Sequence, residues 1–220
     1  MDHPASKCTP LAVALAAAFL TAPLQAQKWG PWQVIGAFDH PEGAKNLERA
    51  HNPERSLGGM QFGRAGPRFG AVNRGTHGSS LDWMPLPGDS AQLDVGDIDF
   101  LRILTPPEKA PKWAETAAAY LYRTVEARAD REVSVHVGSD DGMRLWLNGI
   151  LLRDDPYDRE LNLRDGAVEL ALKKGTNHLL VKVVNSGGGW KFRLSSFRDL
   201  PTQAINSAVE KGVNHLLNNQ

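Results

Sequence analysis

The chain has 220 residues, with 25 Lys and Arg set against 25 Asp and Glu and a pI near 7.1, so net charge gives no reason to expect polyanion binding. No basic run is interleaved with aromatics, and a nucleic-acid interface is not expected. The single cysteine, Cys8, excludes an internal disulfide framework.

In chain order, Leu11 to Leu20 is an apolar run of signal-peptide length, too short to span a bilayer. It follows Lys7 and leads to Ala22-Pro23-Leu24-Gln25-Ala26, where small residues suit cleavage. Residues 1–26 are therefore expected to be a signal peptide, the alternative being a buried apolar helix. Secretion, or delivery to a periplasm or cell envelope, follows from the first reading. Cys8 would leave with the leader, so a large core or a bound metal must hold the remaining fold. Residues 27–200 suffice for one domain with a proper core.

Trp32, Val34 and Ile35 mark a short strand that ends at Phe38-Asp39-His40-Pro41. From Gly43 to Pro87 periodicity is weak, and Gly, Arg, Asn and Pro are frequent. That stretch predicts a long irregular excursion with one or two short strands, such as one over 81–84. Ala117 to Ala127 carries Tyr120, Tyr122, Thr124 and Val125, which favour strand over the helix that its alanines would suit.

Val133, Val135 and Val137 alternate with polar residues, and so do Met143, Leu145 and Leu147. The turn between them is Gly138-Ser139-Asp140-Asp141-Gly142. Asn148-Gly149 then gives the strongest short-range hairpin signal. Val168, Leu170 and Leu172 alternate, a Lys174-Gly175-Thr176-Asn177 turn follows, and His178 to Val184 is a mostly apolar strand. His136 and His178 are expected on strand surfaces. After Asn185 and a triple glycine, Trp190 precedes the alternating Phe192 and Leu194. Short strands at this spacing predict an all-β fold, an antiparallel β-sandwich with jelly-roll-like character. In the tail, Ile205, Val209, Val213 and Leu216 recur at helical spacing, so 201–220 is expected to be an amphipathic helix.

The segments YLYRTVEA, SVHVGSDDGMRLWLNGILL and LALKKGTNHLLVKVVNSGGGWKFRL together resemble the exported β-sandwich modules of the protective-antigen/flocculin lectin type and the galactose-binding-like sandwiches. The likeness covers roughly 117–198, and the SDDG-x-x-x-W-x-NG run is its most specific part. The tail AINSAVEKGVNHLLNNQ resembles the opening helix of a squalene-cyclase/prenyltransferase-type toroid, which would make it the start of a further helical domain.

Successive side chains on an extended strand point to opposite faces, so adjacent aspartates do not ordinarily share one ion. A cis peptide between Asp140 and Asp141 would turn both to one side. Calcium is the cation that such oxygens suit. In the lectin branch a pair of this kind holds calcium that in turn binds sugar hydroxyls. The resemblance thus implies Asp140 and Asp141 as metal and ligand-binding residues, with Asn185 as the loop asparagine. The competing reading of Asp140-Asp141-Gly142 is a plain turn. Trp190 is either a sugar-stacking platform or a ring folded back over the sandwich edge. No nucleophile elbow, phosphate loop or HExxH is present, and the carboxylates at 140, 141, 154, 155 and 158 are not placed across a cleft by anything in the sequence.

The expectation is a non-catalytic exported module that binds carbohydrate, such as a cell-envelope polysaccharide, through calcium. The alternatives are an accessory domain of a truncated toroid enzyme and a purely structural protein-interaction domain.

Overall fold

The computed structural model describes residues 27–55, 73–88, 91, 94–106, 114–162 and 166–196. The expected leader and the tail helix with its toroid analogy lie outside them. The strands are β1 (Gln27–Trp29), β2 (Gln33–Asp39), β3 (Asn73–Arg74), β4 (Ser80–Leu81), β5 (Met84–Pro85), β6 (Ile98–Asp99), β7 (Ala117–Ala127), β8 (Arg131–Asp140), β9 (Met143–Leu147), β10 (Ile150–Asp155), β11 (Ala167–Leu172), β12 (Gly175–Asn185) and β13 (Lys191–Ser196). The described residues also hold two short α-helices, α1 (Asn52–Arg55) and α2 (Phe100–Leu104), and single 3-10 turns at Gly43–Asn46 and Thr76–Gly78.

Among the described residues, one sheet runs β10-β9-β12-β7-β2-β5, with β1 also on β7, and a smaller one runs β11-β8-β13-β6. Every pairing is antiparallel. Val135, Val137, Leu170, Phe192 and Leu194 of the smaller sheet meet Val34, Leu121, Met143, Leu145, Val181 and Val183 of the larger in one buried core. This is an all-β sandwich whose inward positions follow the period-two pattern.

The larger sheet is covered on its outer face as well. Ile35, Tyr120, Tyr122, Trp146, Leu180 and Val184 pack there against Phe38, Ala44, Leu47 and Leu81. The 43–55 segment, α1 and β4 thus act as a lining. A strand buried on both faces reads as continuously apolar, which is why β7 and β12 lack clean alternation. His178 is buried for the same reason, and its Nδ1 lies 2.7 Å from the Tyr122 hydroxyl. That corrects its expected place on a surface.

Asn148 (φ 51°) and Gly149 (φ 84°) form the β9–β10 turn, with Leu147 opposite Ile150. Both central residues are left-handed, as a type I′ hairpin demands. The aspartate turn is different. β8 belongs to the smaller sheet and β9 to the larger, so this turn is a corner between layers rather than a hairpin.

Candidate functional site

The step between sheets falls on the Asp140–Asp141 peptide. Asp140 still pairs with Lys191 in the smaller sheet. The Asp141 amide donates to Val184 O at 3.1 Å, and Gly142 O accepts from the Val184 amide at 2.9 Å, both in the larger sheet. The Asp140–Asp141 bond is cis.

Asp141 is held by backbone on two sides. Its Oδ2 accepts from the Ser186 amide at 2.7 Å, and its Oδ1 accepts from the Arg159 amide at 3.0 Å. Arg159 also folds its guanidinium over the corner, donating to Ser139 Oγ at 2.9 Å and to Asp155 Oδ2 at 3.2 Å. Arg153 reaches the same Asp155 oxygen at 2.7 Å. The Ser139 hydroxyl donates to Asp141 O at 2.5 Å.

Asp140 is buried, and among the described residues no hydrogen-bond donor reaches its carboxylate. Gly189 lies against it; a Cβ there would sit 2.3 Å from Asp140 Oδ2. Burial, then the Asp141 charge, push the Asp140 carboxyl up to about 6, and Glu160 and Asp99 add to this while Lys191 opposes it. Burial also raises Asp141, against the pull of its two backbone amides. A buried carboxylate without donors is costly unless it is protonated or meets a cation.

The loop between β12 and β13 therefore does converge on the aspartate corner, through Ser186 and Gly189. Asn185 is a weaker participant. Its Oδ1 accepts from the Gly187 amide at 2.9 Å and its Nδ2 donates to Ala114 O at 2.6 Å, so the side chain braces the loop. Trp190 is fully buried, with its ring 5.0 Å from Phe100 and its Nε1 donating to Val183 O at 3.3 Å. This corrects the sugar-platform reading of Trp190: three glycines let the ring turn into the core.

Calcium takes six to eight oxygens. Among the described residues no group of three or more His, Cys, Asp or Glu side chains is placed to hold a metal. Asp140 and Asp141 supply two carboxylates only, and both oxygens of Asp141 already accept backbone amides, so a cation here would need further oxygens from backbone, water or ligand. Of the other acidic candidates, Asp154 is committed to Arg144 at 2.9 Å and Asp155 to Arg153 and Arg159.

No family model matches the sequence, and no curated protein matches it. Among solved structures, the chain is similar to an anti-sigma factor domain-containing protein from Clostridium clariflavum, at 14% identity and a TM-score of 0.40 over 77% of this chain and 42% of that one. It is similar to a β-glucosidase from Kluyveromyces marxianus, at 13% identity and a TM-score of 0.43 over 81% of this chain and 18% of that one. It is also similar to a PA14 sugar-binding domain from an RTX adhesin, at 18% identity and a TM-score of 0.32 over 46% of this chain and 64% of that one. The chain spans less than half the length of the first two.

Sequence reasoning missed a second polar assembly, on the outer face of the larger sheet. Lys182 is fully buried, pairs with Glu54 Oε1 at 2.9 Å, and donates to Leu47 O and Arg49 O at 2.8 Å each. The Tyr120 hydroxyl donates to the same Glu54 oxygen. Beside them, His40 Nδ1 and His51 Nε2 lie 3.0 Å apart. Burial first, then the Lys182 charge, lowers both histidines to about 3, which keeps them neutral. Lys182 was the one available signal: a lysine inside an apolar strand needs a buried partner. Among the described residues, no helix is long and apolar enough to cross a membrane.

Proposed function

We propose that the chain is a non-catalytic carbohydrate-binding module that engages sugar hydroxyls through a calcium ion at the Asp140–Asp141 corner. The observation that carries this reading is the donor-free, buried carboxylate of Asp140 beside Asp141, whose own oxygens are fixed by two loops. A cation there would neutralise the pair and still present open coordination positions. Hydroxyl-rich ligands suit such positions because calcium accepts neutral oxygens. The resemblance of the SDDG-x-x-x-W-x-NG run to lectin-type sandwiches agrees with this. Export belongs to the same reading and rests on the apolar run 11–20.

The test is thermal melting of the full chain in calcium and in chelator, followed by glycan-array binding in both. Calcium should raise the midpoint by a few degrees, since a ligand of the native state alone stabilises it. Asp140→Asn with Asp141→Asn should abolish both that rise and calcium-dependent glycan retention. A midpoint indifferent to calcium would leave the corner a structural turn and the sandwich a protein-interaction domain.

A further inference from the structure

The lining of the larger sheet borders an open pocket of about 310 Å³, lined by Phe38, Arg49, His51, Asn52, Arg55 and Arg74 among others. Three arginines line this one space, and among the described residues no acidic side chain does. Several other arginines are paired with carboxylates: Arg144 with Asp154, Arg153 and Arg159 with Asp155, and Arg193 with Asp97. Arg49, Arg55 and Arg74 have no such carboxylate among the described residues. The acid closest in sequence to Arg55 is Glu54, and it is turned inward to Lys182 and Tyr120.

The wall is built rather than incidental. His51 stacks on Phe38 with ring centroids 4.8 Å apart and is fixed by His40. It stays neutral, so it offers hydrogen bonding without adding charge. Guanidinium forks match the paired oxygens of carboxylate, sulfate and phosphate, and a concave wall of this size suits a ligand no larger than a monosaccharide.

We propose that this pocket binds a small ligand through an oxyanion group held by Arg49, Arg55 and Arg74. The site is separate from the aspartate corner and does not depend on calcium.

Titration calorimetry and thermal melting on the full chain test this, with sodium glucuronate, sulfate and phosphate against glucose and chloride at matched ionic strength. At least one of the three oxyanions should bind saturably and raise the midpoint by about 3 °C at ten times its Kd. Glucose and chloride should not. Glucuronate alone would identify an acidic sugar, whereas sulfate or phosphate would identify a tetrahedral anion. Arg55→Gln with Arg74→Gln, both exposed, should weaken that binding at least tenfold, and Asp140→Asn with Asp141→Asn should leave it intact. Absence of saturable binding by any of the three, or binding unchanged in the double arginine variant, overturns the proposal.

Discussion

Lys182 and Glu54 form an ion pair at 2.9 Å in which the lysine side chain is fully buried and the glutamate nearly so. It joins the second-last long strand to a helix of four residues, α1, 128 positions earlier in the chain. Breaking such a pair on one side strands a buried charge. Glu54→Ala should therefore destabilise the protein by about 3 kcal/mol in urea unfolding. Lys182→Met together with Glu54→Leu should cost less than the two single changes combined, because neither partner is left charged. Strict additivity in that double-mutant cycle would mean that the two residues are not coupled.

Acid should unfold the protein through His40 and His51. Both are held near 3 when folded, below the ordinary 6.5, so the unfolded chain binds more protons across that interval. Stability is then present above about pH 6.5 and falls as pH drops toward 3, with a slope approaching one proton per histidine. Asp140 works in the opposite sense. Its folded value near 6 lies above the ordinary 3.8, so its contribution is present below about pH 4 and lost as pH rises through 6. Stability measured from pH 4 to 8, in the parent and in His51→Phe, should show a shallower acid limb in the variant.

Calcium should reverse the Asp140 trend. A bound cation requires the ionised carboxylate, so proton and metal compete. Apparent calcium affinity should fall below pH 6, approaching tenfold per pH unit if one proton is displaced. Calorimetry at pH 5 and 7 measures this. Equal affinities at both values would place any calcium away from Asp140.

Gly189→Ala provides a structural probe of the same corner. The added methyl would stand 2.3 Å from Asp140 Oδ2, so the carboxylate must move. Calcium affinity is expected to fall about tenfold, or about 1.4 kcal/mol, with a melting midpoint in chelator close to the parent's. An unaltered calcium response would show that Asp140 is not a ligand.

Asn177 is predicted to be one of the most sensitive polar positions. It is fully buried; its Nδ2 donates to Lys173 O at 2.7 Å and Gly175 O at 3.1 Å, and its Oδ1 accepts from the Lys173 amide at 2.8 Å and Asn148 Nδ2 at 2.9 Å. Asn177→Ala removes these partners together and should cost about 2–3 kcal/mol. Denaturant unfolding would read this directly.

Alternation at Val133, Val135 and Val137 and at Val168, Leu170 and Leu172 was legible in the sequence because each strand has one core face. Asn148-Gly149 was legible because only left-handed residues close that turn. The layer change at Asp140 was not, since alternation fixes which side of a strand is buried and not which sheet the strand joins. The lining by 43–55 was not legible either. Its anchors, Lys182 to Leu47 O and Arg49 O, are contacts across more than 130 residues, made to backbone oxygens that have no sequence signature. Trp190 misled in one of its two readings because glycines mark freedom of direction without saying which direction is taken.

The corner at Asp140–Asp141 also sets a limit on chain length. Asp140 is registered against Lys191 in one sheet, and Met143 against Val183 in the other, with only Asp141 and Gly142 between them. One residue inserted here would have to be absorbed by shifting β8 or β9, which would carry valines or leucines from the core to the opposite face. The described part of the β10–β11 connection is tied to the same corner, since the Arg159 amide donates to Asp141 Oδ1 and its guanidinium to Ser139 and Asp155. A single-codon insertion scan would thus trace the two sheets by where it fails.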